Sequence, residues 1–419
     1  MLAGFGRAEI TPPLGLELCG YGYYLGRRAE SVLDPLYVRS LCLSWEKTTV
    51  FLVCCDLLGL SRTVVDRVKQ GLAEAGWAPE HLMIVSIHTH CGPAVKYHEG
   101  CGYTDPDYGN ALPGHILEAC LRSAENRMEV TAIGQTSGML PEGLIYNRSS
   151  EDGDLDRQVR GIVLRRGSAK PVLLVSCGCH PVTLGVVPQV SADYPGQVCR
   201  LMEEKGFETM FLNGLCGDVD PVRTPGLNGI QRRDRLAEAV ADQALLCMQD
   251  APVKADFGRL PFKLQLMPVT RSAISESADA AVARAGGEHK PAARVARIWE
   301  KEMLERFDTL VFEEPISVPF LILGGRLILA LPFEGFGRIG GLVRSWLHMP
   351  DVMVLGCGEE LLGYLPTRDD IEQGNYAALE STYLYKRLPV LPGEAERLGE
   401  ALAEMLEEMP GTGGENLQS

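Results

Sequence analysis

Apolar positions along the chain fall into short blocks whose spacing switches between periods of two and 3.6 residues. Over 41–57, two apolar runs flank Glu46 and Lys47 and read as a strand hairpin. Val64, Val65, Val68 and Leu72 recur at helical spacing over 63–76, and Gly76 stops the helix. Leu82, Met83, Ile84 and Val85 form an apolar strand over 81–88 that runs into His88-Thr89-His90. The pattern then predicts a helix over 113–124 and strands over 131–138, 159–165 and 170–177. A helix over 195–206, a strand over 209–212 and a long amphipathic helix over 232–250 follow. Strands alternating with helices predict an α/β sandwich built on a mixed sheet.

Residues 272–307 break this rhythm. They are rich in Ala, Glu and Arg and read as two helices interrupted at Gly286-Gly287 and Pro291, a helical insertion expected to pack on the outside. Strands return over 316–322, 326–331 and 352–355, and a helix over 394–408 closes the pattern. With no repeat and no linker, 1–409 reads as a single domain, and the polar, Gly-rich stretch 410–419 as a disordered tail.

Composition narrows the class. Hydrophobic residues at 46% and charged residues at 23% describe a globular chain. With 40 Lys and Arg against 55 Asp and Glu, the net charge of −15 argues against nucleic-acid partners and anionic membrane surfaces. The apolar runs 50–60 and 318–333 are interrupted by Asp56 and Arg326 and fall short of the roughly 18 clean residues of a transmembrane helix. The first residues lack a cationic start followed by an apolar stretch, so no secretory signal is expected. The 13 Cys, including Cys54, Cys55, Cys177 and Cys179, sit in apolar segments and suit reduced thiols in a cytoplasm. Cys177-Gly178-Cys179 lacks zinc-knuckle spacing and reads as core.

The local chemistry starts at Ser86-Ile87-His88-Thr89-His90-Cys91-Gly92-Pro93. On a strand, residues i and i+2 face one side, so both imidazoles could face one pocket. His180 ends a second apolar strand before Pro181. Sites in α/β sheets gather at the carboxyl ends of strands, so two such ends suit half of a metal site, or two buried hydrogen bonds. Asn213-Gly214-Leu215-Cys216-Gly217-Asp218-Val219-Asp220-Pro221 places two carboxylates at i and i+2, which suits a cation, a partner for a His ligand, or a tight turn. Glu334 ends another apolar strand and could complete a zinc site or cap a helix. Gly363-Tyr364-Leu365-Pro366-Thr367 and Gln373-Gly374-Asn375-Tyr376 are aromatic loops that alone suit packing.

Together these segments resemble the neutral/alkaline non-lysosomal ceramidase family. Gly6-Arg7-Ala8-Glu9-Ile10-Thr11-Pro12-Pro13 is similar to the family's opening, with Gly20-Tyr21-Gly22 and Asp34-Pro35-Leu36 behind it. The His-Thr-His segment, Asn147-Arg148-Ser149, His180-Pro181, Ser191-Ala192-Asp193, 213–221, 332–335 and 363–367 follow in family order. The resemblance spans about residues 3 to 385 and implies one zinc ion per chain held by His88, His180, Glu334 and Tyr364. It further implies His90, Arg148 and Tyr376 around a scissile amide, with Asp193 and Asp218 or Asp220 as outer partners that fix the His tautomers. The implied activity is hydrolysis of an N-acyl compound, ceramide above all, by zinc-activated water. A zinc hydrolase of a small polar amide, ester or lactone is the alternative, and a non-catalytic metal-binding or scaffold protein a third reading. No C-terminal immunoglobulin-like domain like that of longer members is expected, Ala377 stands where an acidic residue is usual, and the helical insertion is a further departure. The substrate is expected to be a small molecule or lipid, and the oligomeric state is open.

Overall fold

The computed structural model describes residues 1–408 except Tyr24, Tyr97 and Asp152. The stretch expected to be disordered, 410–419, lies outside the described residues. A large mixed sheet runs in the order Glu208–Asn213, Ala169–Cys177, Gln158–Arg166, Met128–Met139, Leu2–Glu9, Tyr37–Trp45, Thr48–Cys55, Leu82–Ser86. The two end pairs are parallel and the interior is antiparallel. The sheet's two ends approach one another. Cys54 Sγ lies 3.1 Å from the Phe211 carbonyl, and Asn213 Nδ2 donates to the Ile87 carbonyl at 2.9 Å. That closure brings together strand ends that are far apart in the strand order.

A second sheet pairs Ala255–Gln265, Glu313–Leu323, Arg326–Ala330 and Met353–Leu355. Its middle strands are apolar on both faces. Leu321, Leu323, Ile328 and Ala330 belong to the core of the large sheet, while Phe320, Ile322, Leu327 and Leu329 belong to a second core. Period-two alternation thus splits the side chains between two cores. The helices Gly337–Trp346 and Glu394–Glu407 cover the outer core.

Several expectations are corrected. The helix expected over 232–250 is Gly229–Gln243, opened by an Asn228–Gln231 capping box, and Gln249–Ala251 is a strand pairing with Met128–Met139. The helix expected from Pro113 is Pro106–Glu125, capped by Asp105, with Pro113 inside it. The insertion comprises Arg271–Ala285 and Pro291–Glu305, but it is not merely an outer layer. Trp299 is 2% exposed, packs at a tilt against Tyr383 with ring centroids 4.9 Å apart and donates to the Arg387 carbonyl at 2.8 Å. Ala, Glu and Arg hide this because the apolar stripe is narrow. All 13 cysteines are free, and Cys177 and Cys179 are buried in the core. Among the described residues no helix is long and apolar enough to cross a membrane.

Candidate metal centre

The His-Thr-His segment does not work by strand alternation. Its strand ends at Ser86, and His88 takes a left-handed backbone (φ 71°), strained for a residue with a side chain. That kink aims the ring inward. His88 is 1% exposed, and its Nδ1–H donates to the Leu58 carbonyl at 2.7 Å. His180 lies beyond the end of Ala169–Cys177, and its Nδ1–H donates to the Cys216 carbonyl at 2.5 Å. Each carbonyl fixes the tautomer that turns a bare Nε2 lone pair inward. Asn213 braces both loops, donating to the Ile87 carbonyl and accepting from the Cys179 N–H at 3.4 Å.

Glu334 and Tyr364 arrive as direct partners on two short parallel strands, Glu334–Gly335 and Tyr364–Leu365. Glu334 Oε2 lies 3.1 Å from Nε2 of both His88 and His180, and the Tyr364 hydroxyl lies 3.4 Å from His180 Nε2. Tetrahedral ligands with bonds of about 2.0–2.2 Å stand roughly 3.3 Å or a little more apart, so each of these three separations is near what a shared zinc ion needs. Burial would raise the Glu334 carboxyl, but the adjacent imidazoles outweigh it and hold the group well below the usual carboxylate range. Burial would lower the His88 imidazolium, yet the Glu334 charge pushes it up to about 9. An ion pair between these groups stands where a cation would sit, as expected of a ligand set that lacks its positive partner.

His90 is the third member of a group whose ring nitrogens lie within 4.8 Å of one another, with His88 and His180. Its Nδ1 accepts from the Tyr21 N–H at 3.3 Å, so in the neutral ring Nε2 carries the hydrogen and is a donor. Burial holds this imidazole well below its ordinary pKa, and Nε2 has no partner among the described residues. In this tautomer His90 presents a hydrogen-bond donor to the centre and not a lone pair for ligation. Gly20 makes room for it: at φ 93°, a Cβ there would stand 2.6 Å from the His90 ring.

Arg148 donates through Nη2 to the Tyr364 hydroxyl and to the Gly217 carbonyl, both at 2.8 Å. Gly217 must lack a side chain, since its Cβ would fall 2.4 Å from the Glu334 carbonyl. Tyr376 stacks edge-on against Tyr364 at 5.8 Å and is 41% exposed, so it stands at the mouth.

The three aspartates divide. Asp220 Oδ1 is 3.7 Å from His180 Nδ1 and 3.4 Å from Arg148 Nη1. Asp193 accepts from the Thr183 N–H and hydroxyl and the Leu184 N–H, securing the loop after His180 without touching a histidine. Asp218 accepts from Asn147 Nδ2 at 2.8 Å and the Gly337 N–H at 2.9 Å, and burial raises it to about 6. The tautomers are set by carbonyls instead, which no side-chain pattern reveals. Tyr385, whose hydroxyl donates to Glu334 Oε1, was also missed, because it lies in no motif.

The space at the centre is about 40 Å³, lined by His88, His90, His98, Glu334, Tyr376 and Tyr385. Beyond Tyr23 and Gly100 lies a pocket of about 580 Å³, walled by Leu25, Tyr103, Val295 and Ile298 and by charged residues of the helical pair such as Arg294.

No family model matches the sequence, and no curated protein does. Solved structures do match. A neutral ceramidase from Pseudomonas aeruginosa superposes with a TM-score of 0.73 at 15% identity, over 96% of this chain and 73% of that one. A ceramidase complexed with C2 superposes at 0.72 and 14% identity, over 96% and 74%. This chain has the ceramidase fold.

Proposed function

We propose that this protein is a zinc-dependent hydrolase that cleaves the amide of an N-acyl compound, with ceramide or a related N-acyl lipid as the leading substrate. The observation that carries the reading is the convergence of His88, His180, Glu334 and Tyr364, with Glu334 3.1 Å from both imidazoles and Tyr364 3.4 Å from His180. These residues would hold the metal, which when bound polarises a carbonyl and makes water acidic enough to attack at neutral pH. The remaining chemistry falls to the chain. His90 lines the cavity, and its Nε2–H suits a hydrogen bond to the scissile amide, while the proton given up by the attacking water passes to the leaving amine. Arg148 suits donation to the oxyanion, worth about 2.7–4 kcal/mol in comparable sites, and Tyr376 suits a weaker donation from the exposed rim. Tyr385 holds the carboxylate of Glu334.

The centre accommodates only the scissile group, so the rest of a substrate must leave through the mouth. The 580 Å³ pocket beyond Tyr23 is large enough for a chain. Its mixed lining, with Arg294 and Glu288 beside Leu25 and Ile298, also favours the second reading, a small polar amide, ester or lactone. Metal analysis of the purified protein, followed by hydrolysis assays on N-acyl amides and short polar esters, tests both. About one zinc per chain with amide cleavage supports the first reading. Zinc with ester or lactone cleavage alone supports the second, and zinc with no cleavage ends both.

A further inference from the structure

The pocket beyond Tyr23 and Gly100 adjoins the metal centre. Gly22 and Cys101 line the centre while their chain neighbours Tyr23 and Gly100 line the pocket, so the two spaces share the same two stretches of backbone as a wall. The Tyr23 N–H donates to the Gly100 carbonyl at 2.8 Å and ties that wall together. At about 580 Å³ the pocket holds far more than the 40 Å³ of the centre, and part of its lining is the second helix of the insertion, Pro291–Glu305.

That lining has two parts. Leu25, Tyr103, Val295 and Ile298 offer apolar surface on which a methylene chain can lie. The rest is charged, and the charges do not balance. Glu288 is engaged by Arg297 at 2.8 Å and Glu99 by Lys386 at 3.2 Å. Arg297 is in turn ringed by Asp279, Glu288 and Glu300. Lys290 and Arg294 stand one turn apart at the start of the helix, and neither side chain has an ion pair or hydrogen bond among the described residues. The unneutralised charge of the pocket is therefore positive, on a chain whose net charge is −15. Two unpaired cations beside an apolar wall suit one kind of ligand, an apolar chain that ends in an anion.

We propose that Lys290 and Arg294 bind a terminal carboxylate of the substrate, making the protein selective for N-acyl compounds in which one fragment is a chain ending in an anion. This rests on the amide-hydrolase reading and deepens it: the metal centre takes the amide, the apolar wall the chain, and the two cations its end. The carboxylate belongs either to the amine fragment or to the acyl fragment. Four probes separate the cases: the dodecanoyl amide of aminohexanoate, the hexyl monoamide of dodecanedioate, neutral N-hexyl dodecanamide, and the mono-dodecanoyl amide of hexanediamine, which ends in an ammonium.

Zinc-loaded wild type, the double variant Lys290→Ala/Arg294→Ala and the double variant Lys290→Glu/Arg294→Glu are compared by kcat/KM on each probe at low ionic strength, below the concentrations at which the probes form micelles. Wild type should prefer one carboxylate probe over the neutral amide by about fivefold or more, chiefly through KM. Added salt should shrink that preference, because the two cations are exposed. The alanine variant should lose it, and the glutamate variant should transfer it to the ammonium probe, which a merely structural role would not do. No carboxylate preference in a wild type that cleaves the neutral amide, a preference untouched in both variants, or equal losses on all four probes overturns the proposal while leaving the hydrolase reading intact. A zinc-loaded wild type that cleaves none of the probes removes the hydrolase reading, and this inference with it.

Discussion

His88, His180 and Glu334 are at most 2% exposed, and each is tied to a main-chain carbonyl or a neighbouring tyrosine. Tyr376, at the mouth of the same centre, is 41% exposed and meets it through a ring contact with Tyr364. The floor is thus fixed before any ligand arrives, because buried polar groups must be satisfied internally. The rim keeps its freedom because water can satisfy it. A fixed floor suits metal binding, where misplaced donors cost affinity, and a freer rim suits a substrate that must enter and leave.

Breaking the floor should have the largest effect. His88→Ala should abolish zinc binding and lower kcat/KM on the order of a thousandfold or more while the far-ultraviolet circular dichroism is unchanged. Retained zinc in that variant would mean that His90 can take over as a ligand. Arg148→Ala should keep its zinc and lose about 10²–10³ in kcat, since it removes a donor and not a ligand. Tyr385→Phe removes only the bond to Glu334 Oε1 and should weaken zinc affinity about 10–100-fold, read by competition with a chelator. Proton competition gives a smaller, graded effect. The imidazole of His88 is raised to about 9 without metal, so protons occupy it more fully in the apo site than in the metal-bound one. Zinc affinity should therefore rise with pH, by up to about tenfold per unit, and level off near pH 9. Tyr376→Phe should have the smallest effect, a loss of about tenfold or less in kcat with zinc affinity unchanged, as its hydroxyl is partly replaced by water at the exposed rim. A loss as large as that of Arg148→Ala would place the rim on equal terms with the floor.

The elements most legible in the chain were those with a strong period. The hairpin Tyr37–Trp45 and Thr48–Cys55 and the helix Arg62–Glu74 follow directly from apolar spacing, and the helical pair of the insertion from its Ala, Glu and Arg broken at Gly286-Gly287 and Pro291. Strand Ala255–Gln265 was missed because Gly258 and Pro261 interrupt its apolar run, and Gly337–Trp346 because its glycines weaken a helical pattern. Candidate site residues were legible as types: histidines at strand ends, a carboxylate after an apolar strand, a tyrosine in a Gly-Pro loop.

What the sequence determined alone is therefore the strands that carry those residues, because local periodicity and turn chemistry act over a few positions. Only tertiary structure decided that they meet. The sheet's closure sets His88 beside His180, the register of two short strands pairs Glu334 with Tyr364, and carbonyls of Leu58 and Cys216 choose the tautomers. It also decided the role of Tyr385, which lies outside every motif. Main-chain carbonyls are identical at every residue, and burial belongs to the assembled core, so neither leaves a mark on the order of side chains.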